Sequence, residues 1–173
     1  MSAGDDHARV SMRINVPADV AFKFFTQNIE QWWRRGPRYR NSSGDQGMIC
    51  LESGVGGRLF ESVTVAGQNS IIEIGRISVW DPPRRLVFNW RNVNFSATEH
   101  TEVEVLFEAS GTATNVIVTH SGWSAIRADH PVRHGAKVEQ FLRAQGDWWA
   151  EQLRSLDRKL GMNLCQGRPD EVH

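Results

Sequence analysis

From residue 48 to residue 122 the chain strings together six segments of strand character with no helical pattern between them, and only afterwards turns helical. The segments are MICLES (48–53), GRLFESVTV (57–65), SIIEIGRISVW (70–80), RLVFNWRN (85–92), HTEVEVLFEA (100–109) and TNVIVTHSG (114–122). Turn chemistry separates them at Gly56-Gly57, Gly67-Gln68-Asn69, Asp81-Pro82-Pro83 and Gly111-Thr112. Parallel neighbours need a long crossover, usually a helix, and none is present, so each strand is expected to pair antiparallel with its predecessor in a meander. The clearest alternation is in 101–108, where Val103, Val105 and Phe107 face one way and Glu102, Glu104 and Glu108 the other. That sheet has one packed face and one wet face.

Two helical stretches flank this run. ARVSMRINV (8–16) alternates as a further strand, with Val10, Met12, Ile14 and Val16 on one side. Pro17 stops it and suits the start of a short helix through VAFKFFTQ, with Asp19 in the first turn and Val20, Phe24 and the Ile29 to Trp33 stretch on its buried side. WWRRGPRYRNSSGDQG (32–47) then reads as a long loop, a kind that is often functional. At the other end, residues 131–160 carry Val138, Phe141, Leu142, Gln145, Trp149, Leu153, Leu156 and Leu160 at three- and four-residue intervals. A helix over that whole stretch would span about 45 Å. Gly135 and Gly146 each cost about 1 kcal/mol relative to alanine in such a helix, which moves the expected start later than Pro131, and Gly161 is a natural cap. One domain over 8–161 is expected, with residues 1–7 and the tail 162–173 loosely ordered.

The fold class is therefore α+β: an antiparallel sheet of six to seven strands wrapped around a long C-terminal helix, with two short helices after the first strand. A twisted sheet this wide exceeds what one helix can cover, so closure leaves an apolar space between them, the kind of enclosure ligands favour. Composition narrows the contents. Twenty Lys plus Arg balance twenty Asp plus Glu, which leaves no field to gather nucleic acid or an anionic membrane. The first residues lack a signal-peptide core and no window reaches transmembrane length, so a cytoplasmic location is expected. Cys50 and Cys165 stand in unrelated contexts, with no disulfide or metal spacing. Seven Trp and eight Phe against one Tyr supply rings that both fill cores and line pockets for aromatic ligands.

VPADVAFKFFTQ followed by Trp32-Trp33, the GGRLFE segment at 56–61, GRISVWDPPRRLVFNW at 75–90, TEVEVLFE, GTATNVIVTHSGW and the closing WWAEQLRSL occur in an order and spacing that point to one family. The chain resembles proteins similar to the C-terminal domain of the activator of heat-shock-protein-90 ATPase, within the START and Bet v 1-like helix-grip (SRPBCC) superfamily, over roughly residues 8–160. The resemblance implies a ligand cavity between sheet and C-terminal helix. It also implies two alternatives: a co-chaperone that stimulates the heat-shock ATPase, or an enzyme of the cyclase or hydrolase kind found elsewhere in the superfamily. One departure stands out. The family often has Gly directly before the Trp of the last helix, where this chain has Trp148 before Trp149, a ring that reshapes any pocket there.

The cavity candidates are Phe60, Trp90 and His120 on strands, with Phe24, Trp32, Trp33, Phe141, Gln145 and Trp149 on helices that close over the sheet. For any one ring the competing use is plain core filling. Gln145 is more telling, because an amide on an apolar stripe needs a partner from ligand, water or backbone. His120 falls in phase with Val116 and Val118 and either orients a ligand, exchanges protons or serves as a satisfied structural histidine. Arg58 shares a strand face with Phe60, and if that face is the inner one its guanidinium needs an anion. Arg34, Arg35, Arg38 and Arg40 form the densest basic cluster, available to a carboxylate, a phosphate or an acidic surface, or simply solvated. No nucleophile with its base, no phosphate cradle and no metal set is written in the chain; His130 and His134 lack the HExxH context. The expected protein binds a small hydrophobic molecule, has no cofactor, and is a monomer or homodimer.

Overall fold

The computed structural model of the chain describes residues 7–41, 47–91, 100–123 and 138–166. The element order is β1 (His7–Ile14), α1 (Ala18–Gln27), α2 (Ile29–Trp32), β2 (Gly47–Leu51), β3 (Arg58–Val65), β4 (Gln68–Asp81), β5 (Arg85–Trp90), β6 (Thr101–Ser110), β7 (Ala113–Ser121) and α3 (Val138–Gln166). Proline lacks an N–H to leave unpaired, and Pro17 takes the cap position of α1 with extended backbone, with Asp19 in the first turn as the sequence predicts. The single turn of α2 follows directly.

All seven strands join one sheet in the order β1-β7-β6-β5-β4-β3-β2, and every pair is antiparallel. The meander is as expected. β1 closes it by returning beside β7, in register from His7 opposite Ser121 to Ile14 opposite Thr114. β4 is the strand about which the sheet curls: Gln68–Arg76 pair with β3, while Ile77–Asp81 pair with β5, and both ladders shift register near this change. Gly75 sits at the bend, where an added Cβ would stand 1.8 Å from the Asn89 carbonyl oxygen. Only glycine allows the two backbones that close.

The inner face of the curl carries Leu86, Phe88, Val103, Val105, Val116 and Val118, all buried, against Trp149, Leu153, Leu156 and Leu160 of α3. Phe22 and Phe25 of α1 plug one end, edge-on to Phe107 at centroid distances of 5.1 and 5.6 Å.

Three local expectations change. The β3–β4 turn is Ala66-Gly67, with Gln68 and Asn69 already in the ladder opposite Val65 and Thr64. Both turn residues have positive φ, 51° and 79°, the geometry a two-residue hairpin requires, so the tight turn outcompetes the looser one centred on Gln68. Gly161 does not end α3, which continues to Gln166, because one exposed helical glycine costs less than the backbone bonds gained by continuing. Third, Arg58 and Phe60 lie on the outer face, since Leu59 and Glu61 are the buried residues of β3. Residues 131–137, including Gly135 and His134, and His130 lie outside the described residues.

Candidate ligand site at a tryptophan cluster

Four indoles converge where the end of β5, the end of α2 and the middle of α3 meet. Trp33 and Trp90 stack at a centroid distance of 6.0 Å, with their planes 18° apart. Trp148 and Trp149 meet both of them edge-on at 5.7 to 6.1 Å and each other at 5.0 Å. Offset and edge-on contacts of this kind are the favourable ones for quadrupolar rings. Trp33 and Trp149 are buried, whereas Trp90 and Trp148 stay partly exposed. The buried pair forms the floor of the cluster and the part-exposed pair its rim.

His120 packs against one indole of each pair, 5.6 Å from Trp90 and 6.1 Å from Trp149 between centroids. The Trp149 indole N–H can only donate, and it points at Nδ1 of His120 from 3.1 Å. Nδ1 is therefore the acceptor, and the ring proton sits on Nε2, which donates to Thr101 Oγ1 at 2.7 Å. The threonine hydroxyl in turn faces the Trp90 carbonyl at 3.4 Å. Burial holds the imidazole pKa down to about 3. His120 is neutral with both nitrogens engaged, so it orients the Trp149 indole and packs edge-on to Trp90.

The segment after α2 forms a strap across α3. Trp33 Nε1 donates to the Tyr39 carbonyl at 3.0 Å and Trp148 Nε1 to the Arg38 carbonyl at 2.9 Å. The Tyr39 hydroxyl donates to the Glu151 carboxylate, which Arg34 and Arg38 approach at 3.5 and 3.7 Å. Glu151 is held below its usual carboxylate range by that hydroxyl and by the two guanidinium groups, while burial and the bond to Glu151 raise the Tyr39 phenol. Arg40 anchors the strap from beneath. Its buried guanidinium reaches both carboxylate oxygens of Glu30 and the carbonyls of Trp33, Arg34 and Gly47. The basic cluster is thus committed internally: Arg35 also pairs with Glu30, at 2.7 Å.

On α3 two stripes divide these tasks. Trp149, Leu153, Leu156 and Leu160 face the sheet, while Trp148, Glu151, Gln152 and Ser155, at helical spacing, hold the strap and α2. Gln152 Oε1 accepts from the Arg34 backbone N–H at 2.9 Å, and Ser155 Oγ donates to the Trp32 carbonyl at 2.6 Å. The Nε2 of Gln152 is buried with no acceptor among the described residues.

Of the residues singled out in the sequence, Trp33, Trp90, His120 and Trp149 come together here. Phe141 joins through Trp123, whose ring lies 4.7 Å from Phe141 and 4.6 Å from His120. Gln145 lies one turn before Trp149, partly exposed. Phe24 and Trp32 belong to the core under α1 and α2, where Trp32 Nε1 bonds the Phe25 carbonyl at 3.1 Å. Arg58 and Phe60 are elsewhere: the guanidinium pairs with Glu52 at 2.8 Å on the outer face and lies 4.9 Å over the Phe60 ring. That pairing lowers the Glu52 pKa to about 2. Sequence reasoning missed Gln152, although it falls between Trp149 and Leu156 at three- and four-residue spacing and so carries the same signal as Gln145. It also missed Thr101 and Glu151, whose partners are distant in sequence.

Among the described residues no helix is long and apolar enough to cross a membrane, and no group of three or more His, Cys, Asp or Glu is placed to hold a metal ion. An open groove lies where α3 crosses β1, lined by Val10, Leu142 and Gly146 and by charged Arg9, Glu139 and Asp147. Its charged lining suits an apolar ligand less well than the indole cluster does.

Solved structures share this architecture at low identity. A protein of unknown function from Staphylococcus aureus matches with a TM-score of 0.63 at 12% identity, covering 94% of this chain and 99% of that one. A Nitrosomonas europaea protein matches with 0.62 at 11% identity, covering 95% and 99%. The structure described as the Aha1 dimer from Colwellia psychrerythraea matches with 0.56 at 16% identity, covering 89% and 95%. No curated protein matches the sequence. These neighbours have the SRPBCC, Bet v 1-like helix-grip fold. The family model described as "Activator of Hsp90 ATPase homolog 1-like protein" matches residues 15–160, and the chain belongs to that family.

Proposed function

We propose that the protein binds a small hydrophobic or aromatic molecule in the cytoplasm, at the tryptophan cluster between the sheet and α3. The observation that carries the reading is the partial exposure of Trp90 and Trp148 above the buried Trp33 and Trp149. Indoles left at an open rim retain apolar surface that a flat ligand would cover, at roughly 25 cal/mol for each Å² removed from water. The surrounding polar groups support it, because His120 and the strap residues fix the rings before any ligand arrives and so reduce the ordering cost of binding. The test is a titration of the intact protein with a panel of flat aromatic probes, followed by tryptophan fluorescence. Saturable quenching is expected, and for naphthalene-sized probes it is weakened several-fold in Trp90→Ala and Trp148→Ala. A panel that leaves the fluorescence unchanged overturns the reading.

The family description favours a second reading, a co-chaperone that raises the ATPase rate of heat-shock protein 90. A purified chaperone whose ATPase rate is unchanged at saturating amounts of this protein removes it.

A further inference from the structure

We infer that the ligand of the tryptophan cluster is an aromatic acid, whose ring covers Trp148 at the rim and whose carboxylate is met by Arg38; this deepens the ligand-binding reading above and rests on it. Both groups stand at the surface. Trp148 is partly exposed and the Arg38 side chain is 57% exposed, so nothing has to be uncovered for one ligand to touch both. They are also tied together. Trp148 Nε1 donates to the Arg38 carbonyl at 2.9 Å, and the next ring of the strap, Tyr39, lies 5.6 Å from Trp148 with its plane tilted by 32°. The Arg38 guanidinium stands 5.8 Å over that Tyr39 ring. An aromatic surface and a cation are therefore side by side on the outside of the molecule.

Charge says which ligand. The internal pairing of the strap is not balanced, because Arg34 and Arg38 turn to the same oxygen of Glu151, which also accepts from Tyr39. Two guanidinium groups on one carboxylate leave a positive charge over, and Arg154 adds another near the same carboxylate. Asp147, the acid next to Trp148 in the chain, lines the groove over β1 instead. Arg38 is held the more loosely of the pair. Its nitrogen is 3.7 Å from Glu151, past hydrogen-bond reach, so the planar fork that suits a carboxylate is not used up there. An exposed ion pair is weak by itself, since water screens it. Beside the Trp148 and Tyr39 rings, an aromatic acid adds covered apolar surface to the charge contact, and each half of the ligand holds the other in place.

The experiment compares 2-naphthoate with 2-naphthamide, nearly the same shape with and without the charge. Both are titrated into the full-length protein at neutral pH and low ionic strength, by calorimetry and tryptophan quenching. The acid is expected to bind about fivefold more tightly, the scale of one screened charge contact. In Arg38→Gln, which keeps the backbone carbonyl for Trp148, the ratio is expected to fall to about one while the amide binds as before. A ratio near one in the wild type, or one that survives in Arg38→Gln, overturns the role of Arg38 and leaves the aromatic site standing, since the amide still binds. If neither probe binds, the site and this inference fall together. Should the variant not fold, a salt series on the wild type decides: the preference for the acid is expected to fade by about 0.5 M salt, and a preference that does not shrink overturns the charge contact.

Discussion

His120 shows how burial sets chemistry at a single position. Its pKa is lowered to about 3 in the fold against 6.5 in the unfolded chain, so the unfolded state binds the extra proton first. The stability contributed by the neutral ring is fully present above pH 6.5 and is lost as the pH falls from 6.5 towards 3. Between pH 6.5 and 5 the loss approaches about 1.4 kcal/mol per pH unit at its steepest. Glu52, exposed and paired with Arg58, has its pKa lowered to about 2, and its contribution is lost only as the pH falls below the usual 4.5, outside that window. Urea unfolding of the wild type at pH 6.5 and pH 5 is expected to show the drop, and His120→Gln to flatten it; an equal slope in both proteins would assign the drop to other groups. Arg40 makes the complementary case. Its buried guanidinium meets five acceptors, among them both oxygens of Glu30, so Arg40→Ala strands carbonyls and loosens the strap, at a cost of about 3 kcal/mol in unfolding free energy. A loss below about 1 kcal/mol would mean that the strap is anchored elsewhere.

The elements were legible because each rests on a local signal. Strand alternation, Pro17, the turn residues and the α3 stripe all act over a few residues, and the observed strands lie within two residues of their expected bounds. What local signal missed was set by neighbours. The phase of β3 is decided by the short β2 beside it, where Ile49 pairs with Glu61 and Leu51 with Leu59 on the inner side, which turns Arg58 and Phe60 outward. The β3–β4 turn was misplaced by two residues because Ala66 is an unusual left-handed alanine, with φ 51°. That strain is testable. L-residues other than glycine, asparagine and aspartate pay about 1 kcal/mol there, so Ala66→Gly or Ala66→Asn is expected to raise the melting temperature by about 2–4 °C. The reverse case is Gly75, whose missing Cβ leaves room for the Asn89 carbonyl. Gly75→Ala must push two strands apart at the curl and is expected to lower stability by more than the gain at Ala66, read in the same melting experiment.

At the scale of the molecule, the site is where the sheet, α2, the strap and α3 meet, and this is why only part of it was readable beforehand. Trp33, Trp90, His120 and Trp149 were recoverable from alternation and helical spacing, since each lies on an inward face. The strap was not, because it is held by Glu151 and Gln152 from more than a hundred residues away, and linear patterns carry no such pairing. Trp148 links the two levels. It packs against Trp33, Trp90 and Trp149, bonds the Arg38 carbonyl, and stands where the family often has glycine. Its ring is partly exposed, so its removal forfeits less buried surface than loss of the fully buried Trp149. Trp149→Ala is expected to cost about 3–5 kcal/mol, from a core cavity and an unpaired His120 Nδ1, and Trp148→Ala less than half of that. The two variants should then part in opposite directions when probed with a flat aromatic dye larger than naphthalene. Trp148→Ala opens the rim by one indole while the floor stays in place, so it gains affinity for the larger probe even as it loses affinity for the naphthalenes it no longer covers. Trp149→Ala loses both. Parallel losses for every probe size in the two variants would place Trp148 in the core alone and remove the open rim from the account of this site.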